Sequence, residues 1–452
     1  MDFLFFYPKF LFTQNILRYQ EAIKPLLDSK LTYVDSYISL INESELYKEI
    51  IKKIREEANV EEFNNLSTPT LKFNYVLSNQ HISLNSLNSL ILDNIQFNCS
   101  NIFFEKINTR LDDNDIIKAF ERITKNFSLK NVASNYHEEL KSSGYNLLDR
   151  ITASVENELY FPVLEFSKSY IRIMSVVSFL DSDGIRSKRV CIVKINRENG
   201  QVSFYVNGKI GKFKLKNLDS ITINSPLSFF QEIKLLIGKY LSIVYESKKN
   251  VYKKEREKMF IFCKKMNNLM IGQESNTLKE YLFSTLKRQI KTISKKMNTL
   301  NNNVKLNEEI IERIQGKIFS TYLGEYITQG FPEDTLKKNS IEKGCTCYPT
   351  KISFKGQELS RGRASARNKN FPLTFESVFY SLNTDIEISG ELDEFTLAWF
   401  DKPFFPEKKD LSVSQTTIKI NKGYFSIVIL NKKYKNREMV EFIERTIRTA
   451  IS

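Results

Sequence analysis

Hydrophobic residues recur along this chain with two different periods, and the change between them predicts its organisation. Up to about residue 150 the apolar positions fall three and four apart. Leu46, Ile50 and Ile54 follow Asn42-Glu43-Ser44-Glu45, which opens in the manner of a capping box, and Ile116, Phe120, Ile123 and Phe127 follow a capping Asp113. Each run predicts a helix with one apolar face. The Asn-, Ser- and Leu-rich run from Asn79 to Asn101 predicts a loop-bearing region. From about Glu158 the period shortens. Tyr170 to Phe179 is almost continuously apolar, Arg189 to Asn196 alternates, and Asn199-Gly200 and Asn207-Gly208 are hairpin signals that set off Val202 to Val206 and Lys209 to Lys216. An antiparallel meander is predicted.

Ser225-Pro226 then starts a helix whose buried face is Phe229, Phe230, Ile233, Ile237, Tyr240 and Val244, and a long helical region follows it. Beyond Pro332 strands are predicted at Thr374 to Leu382, Asp385 to Ser389, Thr416 to Ile420 and Tyr424 to Leu430, with a closing amphipathic helix from Arg437 to Ile451. The fold class is therefore α+β. Its expected parts are a mainly helical domain over 1–155, an antiparallel sheet with a basic helical region over 156–335, and a β-rich domain with a terminal helix over 336–452. A chain of 452 residues with 41% hydrophobic and 27% charged residues has the means to bury more than one core.

Composition removes several chemistries. Cys99, Cys191, Cys263, Cys345 and Cys347 are too few and too scattered for a disulfide framework, which predicts a reducing, cytoplasmic setting. Cys345-Thr346-Cys347 lacks the spacing of a zinc knuckle and reads as two thiols in a turn between Gly344 and Pro349. The greasy start, Met1 to Phe12, carries Asp2, Pro8 and Lys9 and reads as a buried strand or staple rather than a leader. No apolar run is long enough to span a bilayer. With only His81 and His137, and neither phosphate-loop motif present, no catalytic residue, metal ligand or cofactor is assigned.

Charge points the other way. Lys and Arg number 67 against 53 acids, a net +14, the footprint of a polyanion partner. An AT-rich genome also enriches Lys and Asn, and that competing explanation stands beside it. The cations concentrate in three places. The meander carries Lys188, Arg189, Lys194, Arg197, Lys209, Lys212, Lys214 and Lys216 at positions read as exposed. The helices between Lys248 and Lys296 carry a second group that includes Lys287, Arg288, Lys291 and Lys295. The third, Ser360 to Asn370, sets Arg361, Arg363, Arg367 and Lys369 among small residues, where the backbone can approach a phosphate and guanidinium groups can grip it.

The segment Gly316 to Gln329 resembles the promoter-melting segment of bacterial sigma factors, which reads G-x-K-F-S-T-Y-A-x-x-x-I-x-Q. Phe319, Ser320, Thr321, Tyr322, Ile327 and Gln329 match in register, and Tyr326 stands where the family has the second of two aromatic residues at the edge of the melted strand. The resemblance implies that Tyr322 and Tyr326 stack on unpaired bases, and that an RNA polymerase core is the protein partner. The function expected is nucleic-acid binding, DNA before RNA, as a non-catalytic subunit of a larger machine and most sharply as a sigma-like specificity subunit. Two alternatives stand. One is a metal-dependent nuclease using Asp181 and Asp183 with Lys194, or Asp385, Glu387 and Glu391 as a cation site. The other is a structural protein that answers an acidic partner.

Overall fold

The computed structural model describes residues 40–41, 43–54, 60–67, 69–79, 81–127, 143–146, 148, 156–180, 184–208, 211–218, 221–246, 248–301, 306–355, 361–421, 423–430, 435 and 437–451. Packing separates these into two compact units. The first runs to Glu246 and takes in Lys435 and Arg437, and the second holds the rest. Helices and an antiparallel sheet occur in each, so the protein is α+β as expected.

The first unit contains α1 (Glu43–Ile54), α2 (Val60–Asn65), α3 (Pro69–Ser78), α4 (Leu84–Asn98), β1 (Asn101–Lys106), α5 (Asp113–Asn126), β2 (Gly144–Asn146), β3 (Leu159–Phe166), β4 (Tyr170–Leu180), β5 (Arg186–Asn196), β6 (Gln201–Val206), β7 (Phe213–Lys214), β8 (Thr222–Ile223) and α6 (Pro226–Tyr240). Its main sheet has the strand order β1-β6-β5-β4-β3-β2, antiparallel throughout. Both faces are covered. Phe97 of α4 meets Tyr205 on one side of β6, while Phe230 of α6 meets Phe103 and Phe204 on the other. That cover makes β4 almost continuously buried, which is why its sequence is apolar without alternation.

Several local expectations are met here. Leu46 and Ile50 are buried on α1, and the Ser225 cap of α6 closes a reciprocal box with Ser228. Gly200, with φ +68°, turns β5 into β6, a conformation that glycine adopts without cost. The cap of α5 is Asp112 rather than Asp113, its Oδ1 accepting from the Asp115 N–H at 2.8 Å. The run from Asn79 to Asn101 is corrected more deeply. Most of it is α4, opened by Ser83, because Leu87, Leu90, Ile91, Leu92, Ile95 and Phe97 find a core to enter and tertiary burial outweighs weak Asn and Ser propensity. Asn207-Gly208 does not join β6 to a neighbour in the sheet. Asn207 instead donates to the Lys188 carbonyl and accepts from the Val190 N–H, and Phe213–Lys214 pairs separately with Thr222–Ile223. Met1 to Phe12, Asn42, His137, Asp181, Asp183, Lys209 and Ser360, for which the sequence raised expectations, lie outside the described residues.

The second unit contains α7 (Lys248–Leu300), α8 (Glu308–Gly330), α9 (Glu333–Glu342), β9 (Cys347–Lys355), β10 (Arg361–Ser365), α10 (Ser377–Ser389), β11 (Glu394–Phe400), β12 (Val413–Asn421), β13 (Tyr424–Ile429) and α11 (Arg437–Ile451), of which Arg437 packs with the first unit. Its sheet order is β10-β9-β11-β12-β13. α7 has 53 residues, about 80 Å at the usual helical rise. Its first half buries Met259, Cys263, Met266 and Met270 at spacings of three and four, and its second half buries Leu286 and Ile290 against Ile311 of α8. The Asn307 side chain caps α8, accepting from the Ile310 N–H at 2.8 Å.

The strands expected over Thr374 to Leu382 and Asp385 to Ser389 are a 3-10 turn (Leu373–Phe375) and α10. Phe379, Tyr380 and Ile386 have helical spacing, and α10 lies so close to α8 that a Cβ on Gly324 would stand 2.8 Å from the Tyr380 ring. Cys347 opens β9 rather than lying in a turn, and all five thiols are free and buried. The expected boundaries near 155 and 335 do not coincide with the two units. β1 pairs with β6 across the first of them, and α7 packs against β9 across the second. Among the described residues no helix is both long and apolar enough to cross a membrane.

Candidate nucleic-acid interface

Register alone assigns the two faces of the second sheet. Ile352, Phe354, Ala364, Phe395, Ile418 and Ile427 share one face and are buried. The intervening positions share the other. There Arg363, Ser353, Glu394, Lys419 and Ser426 form one row across the strands, Ser365, Lys351, Thr396 and Thr417 form the next, and Arg361 stands opposite Lys355 at the sheet end. β10 is an edge strand with alternating burial, so Arg361 and Arg363 are exposed and lie roughly 7 Å apart along it. The expected loop from Arg361 is thus a strand over its first five residues, and alternation is what aims both guanidinium groups the same way.

The electrostatics of this face are one-sided. Glu394 is the one carboxylate among its described strand residues, and it is shared by Lys351 and by Lys419 at 3.6 Å. Burial works to raise the Glu394 carboxyl. The hydrogen bond from Lys351 and the charges of Lys419, Lys351 and Arg363 outweigh it and hold the group below the usual carboxylate range. Lys355, Arg361 and Arg363 make no ion pair among the described residues. Beside them a cleft of about 290 Å³ opens, lined by Tyr252, Arg256, Lys355, Arg361, Lys419 and Asn421 together with Ser353, Asp393 and Glu394. Arg256 is already committed to Asp393 and to Glu391, the latter at 3.3 Å. Lys355 and Arg361, which make no ion pair among the described residues, are left to meet an anion there.

The other expected residues are dispersed. Arg367 pairs with Glu376 at 3.1 Å and stacks on Phe371 at 3.8 Å, so its guanidinium holds the turn together. Lys369 is exposed, and its carbonyl accepts from Gln415. Lys287 and Lys291 both pair with Glu308 at the start of α8, at 3.3 and 3.1 Å, while the exposed Arg288 and Lys295 have no ion pair among the described residues. Tyr322 and Tyr326 are exposed on α8. They lie more than three turns beyond Glu308, about 20 Å along the helix, so they do not share a spot with those lysines. Tyr326 also leans edge-on against Phe331 at 5.3 Å.

Two expectations need correcting. The meander is a basic exposed face only in part, since Lys194, Lys212, Lys214 and Lys216 are exposed as expected while three other cations are not. Arg189 is fully buried beside the rings of Phe179 and Phe213, Lys188 is half-buried, and Arg197 pairs with Asp113 at 2.7 Å. Asp385, Glu387 and Glu391 are not a strand-borne cation site. Asp385 sits on α10 against Arg313 and Lys317, Glu387 against Lys264, and Glu391 against Arg256, so protein cations already satisfy each of them. No group of His, Cys, Asp or Glu among the described residues has the arrangement of a metal site.

Lys351, Lys355 and Lys419 were missed as candidates. Their signal was present as strict alternation, Lys351-Ile352-Ser353-Phe354-Lys355 and Thr417-Ile418-Lys419-Ile420-Asn421, which marks a strand with one wet face. Comparison with protein-family models, curated proteins and solved structures returns no match, so no relative lends this face a function.

Proposed function

We propose that the chain binds nucleic acid, DNA before RNA, by gripping phosphates on the polar face of the second sheet, and that it serves as a non-catalytic subunit of a larger nucleic-acid machine. The observation that carries this reading is the convergence of Lys355, Arg361 and Arg363, none of them paired among the described residues, beside Lys351 and Lys419 on one face with a single strand carboxylate. Guanidinium and ammonium groups so placed release counterions when they meet phosphates, which gives affinity without sequence preference. Fluorescence anisotropy with a labelled duplex over a salt series tests it. Replacing Arg361 and Arg363 by Ala should weaken binding equally for unrelated sequences and lower the salt slope by about two. An unchanged slope and affinity would remove the reading.

A sigma-like role is the second reading, and the exposure of Tyr322 and Tyr326 on one helix favours it. Aromatic rings so presented can stack on unpaired bases. Tyr322→Ala with Tyr326→Ala should then weaken binding to a forked or single-stranded probe more than to duplex, by about tenfold. Equal losses on both probes, or failure of the chain to associate with a polymerase core in purification, would discard it.

A further inference from the structure

A second cleft, of about 340 Å³, opens within the second unit between α7, α8 and α10, on the opposite side of the sheet from the face above. That volume is at the lower end of small-molecule pockets. Its walls are aromatic. Phe283 of α7 and Phe319 of α8 meet edge to face at 5.8 Å, and Phe260 adds a third ring. Facing carboxamides complete the lining. Asn267 of α7 has its Oδ1 buried with no donor, and Asn383 of α10 donates to the Ser320 hydroxyl at 3.3 Å, leaving its own oxygen free among the described residues. Lysines stand at the rim. Lys279 lies 5.1 Å from the Phe283 ring centre with no carboxylate partner among the described residues, and Lys264 is paired with Glu387.

Flat apolar walls select a planar ligand, amide oxygens with nothing to accept from select amino-group donors, and an unpaired rim ammonium selects an anion. We propose that this cleft binds one nucleotide, its base against the aromatic wall that Phe283 and Phe319 form, its exocyclic amino group donating to Asn267, and its phosphate at Lys279. The choice of ligand class rests on the nucleic-acid reading. The same chemistry is presented by an unpaired base of a strand and by a free nucleotide.

Titration calorimetry with AMP, GMP, CMP and UMP, and anisotropy with a labelled single strand, test the proposal on the full chain. Saturable binding of at least one monophosphate is expected, with amino-bearing bases ahead of UMP. Phe319→Leu, which keeps an apolar side chain but no ring face, and Lys279→Ala, at an exposed position, should each weaken it about tenfold. If the single strand binds and responds to Arg361 and Arg363 but neither probe responds to Lys279→Ala or Phe319→Leu, the cleft proposal falls while the phosphate face stands. Monophosphate binding that responds to these two variants, with no binding of any strand, supports a free-nucleotide site and removes the nucleic-acid reading. Ribose 5-phosphate binding as tightly as AMP would overturn the role of the base.

Discussion

Strand β5 of the first sheet and strand β10 of the second carry basic residues in comparable density, yet the two sheets use their cations oppositely. In the first, Arg172 is buried between Glu165 of β3 and Asp93 of α4, and Arg189 is buried beside two phenylalanine rings. In the second, Arg361 and Arg363 face outward without ion pairs among the described residues. The difference is one of cover. Helices lie on both faces of the first sheet and bury most of its positions, so a cation at one of those must find internal partners or give up its charge more readily. An edge strand with one wet face leaves its alternate side chains to solvent and to ligands. Basic residues in a strand therefore announce a binding surface only when the strand alternates.

The contrast can be broken at its strongest point first. Arg172→Ala should cost about 3–5 kcal/mol, because it strands the carboxylates of Glu165 and Asp93 in a largely buried setting, and urea unfolding would measure it. A loss below about 1 kcal/mol would mean that the first sheet is wetter than its packing implies.

Lys188 comes next. Burial, with the charge of Arg186 adding to it, pulls its ammonium down to about 8 from 10.5. The folded protein gives up this proton at lower pH than the unfolded chain, so between those values the unfolded state holds more protons and stability gained from this residue rises with pH. Lys188→Met should therefore be more stable than the parent at pH 7, with the advantage shrinking as pH approaches 10.5. Parallel stability curves across that window would contradict it.

Glu394→Gln probes the second sheet more gently. Its pairs are partly exposed, so a loss of up to about 1 kcal/mol is expected at neutral pH, where the depressed carboxyl contributes. That loss should fade as pH drops through the carboxylate range, because the contribution of a depressed acid disappears there. Polyanion affinity should rise at the same time, since the face loses its strand carboxylate. The smallest effect on stability belongs to replacing Arg361 and Arg363 together by Ala. Stability should stay within about 0.5 kcal/mol of the parent even as binding falls, which separates a surface role from a structural one.

Elements stand where the sequence alone places them wherever local pattern and tertiary context agree. α6 and α11 appear at their expected places, as do β4, β5, β6, β12 and β13, each with strong periodicity or clear start signals. The failures share a cause. The residues of α4 and α10 are rich in Asn, Ser, aromatic and β-branched types that favour no helix locally, and only packing against a sheet or against α8 decides them. The strands β9 and β11 were not anticipated, although β9 alternates plainly once its partners are known.

What the sequence determined by itself is the α+β class, the excess of positive charge, the absence of familiar phosphate-loop motifs, and the position of most periodic elements, because these depend on neighbours within a few residues or on composition. Which cations meet solvent was settled by the tertiary structure. Arg189 and Arg363 each sit in a short basic run of a strand, and nothing within a few residues of either states whether a helix will cover that face. Pairing between strands and the helices laid over them place one beside aromatic rings and leave the other at an open edge.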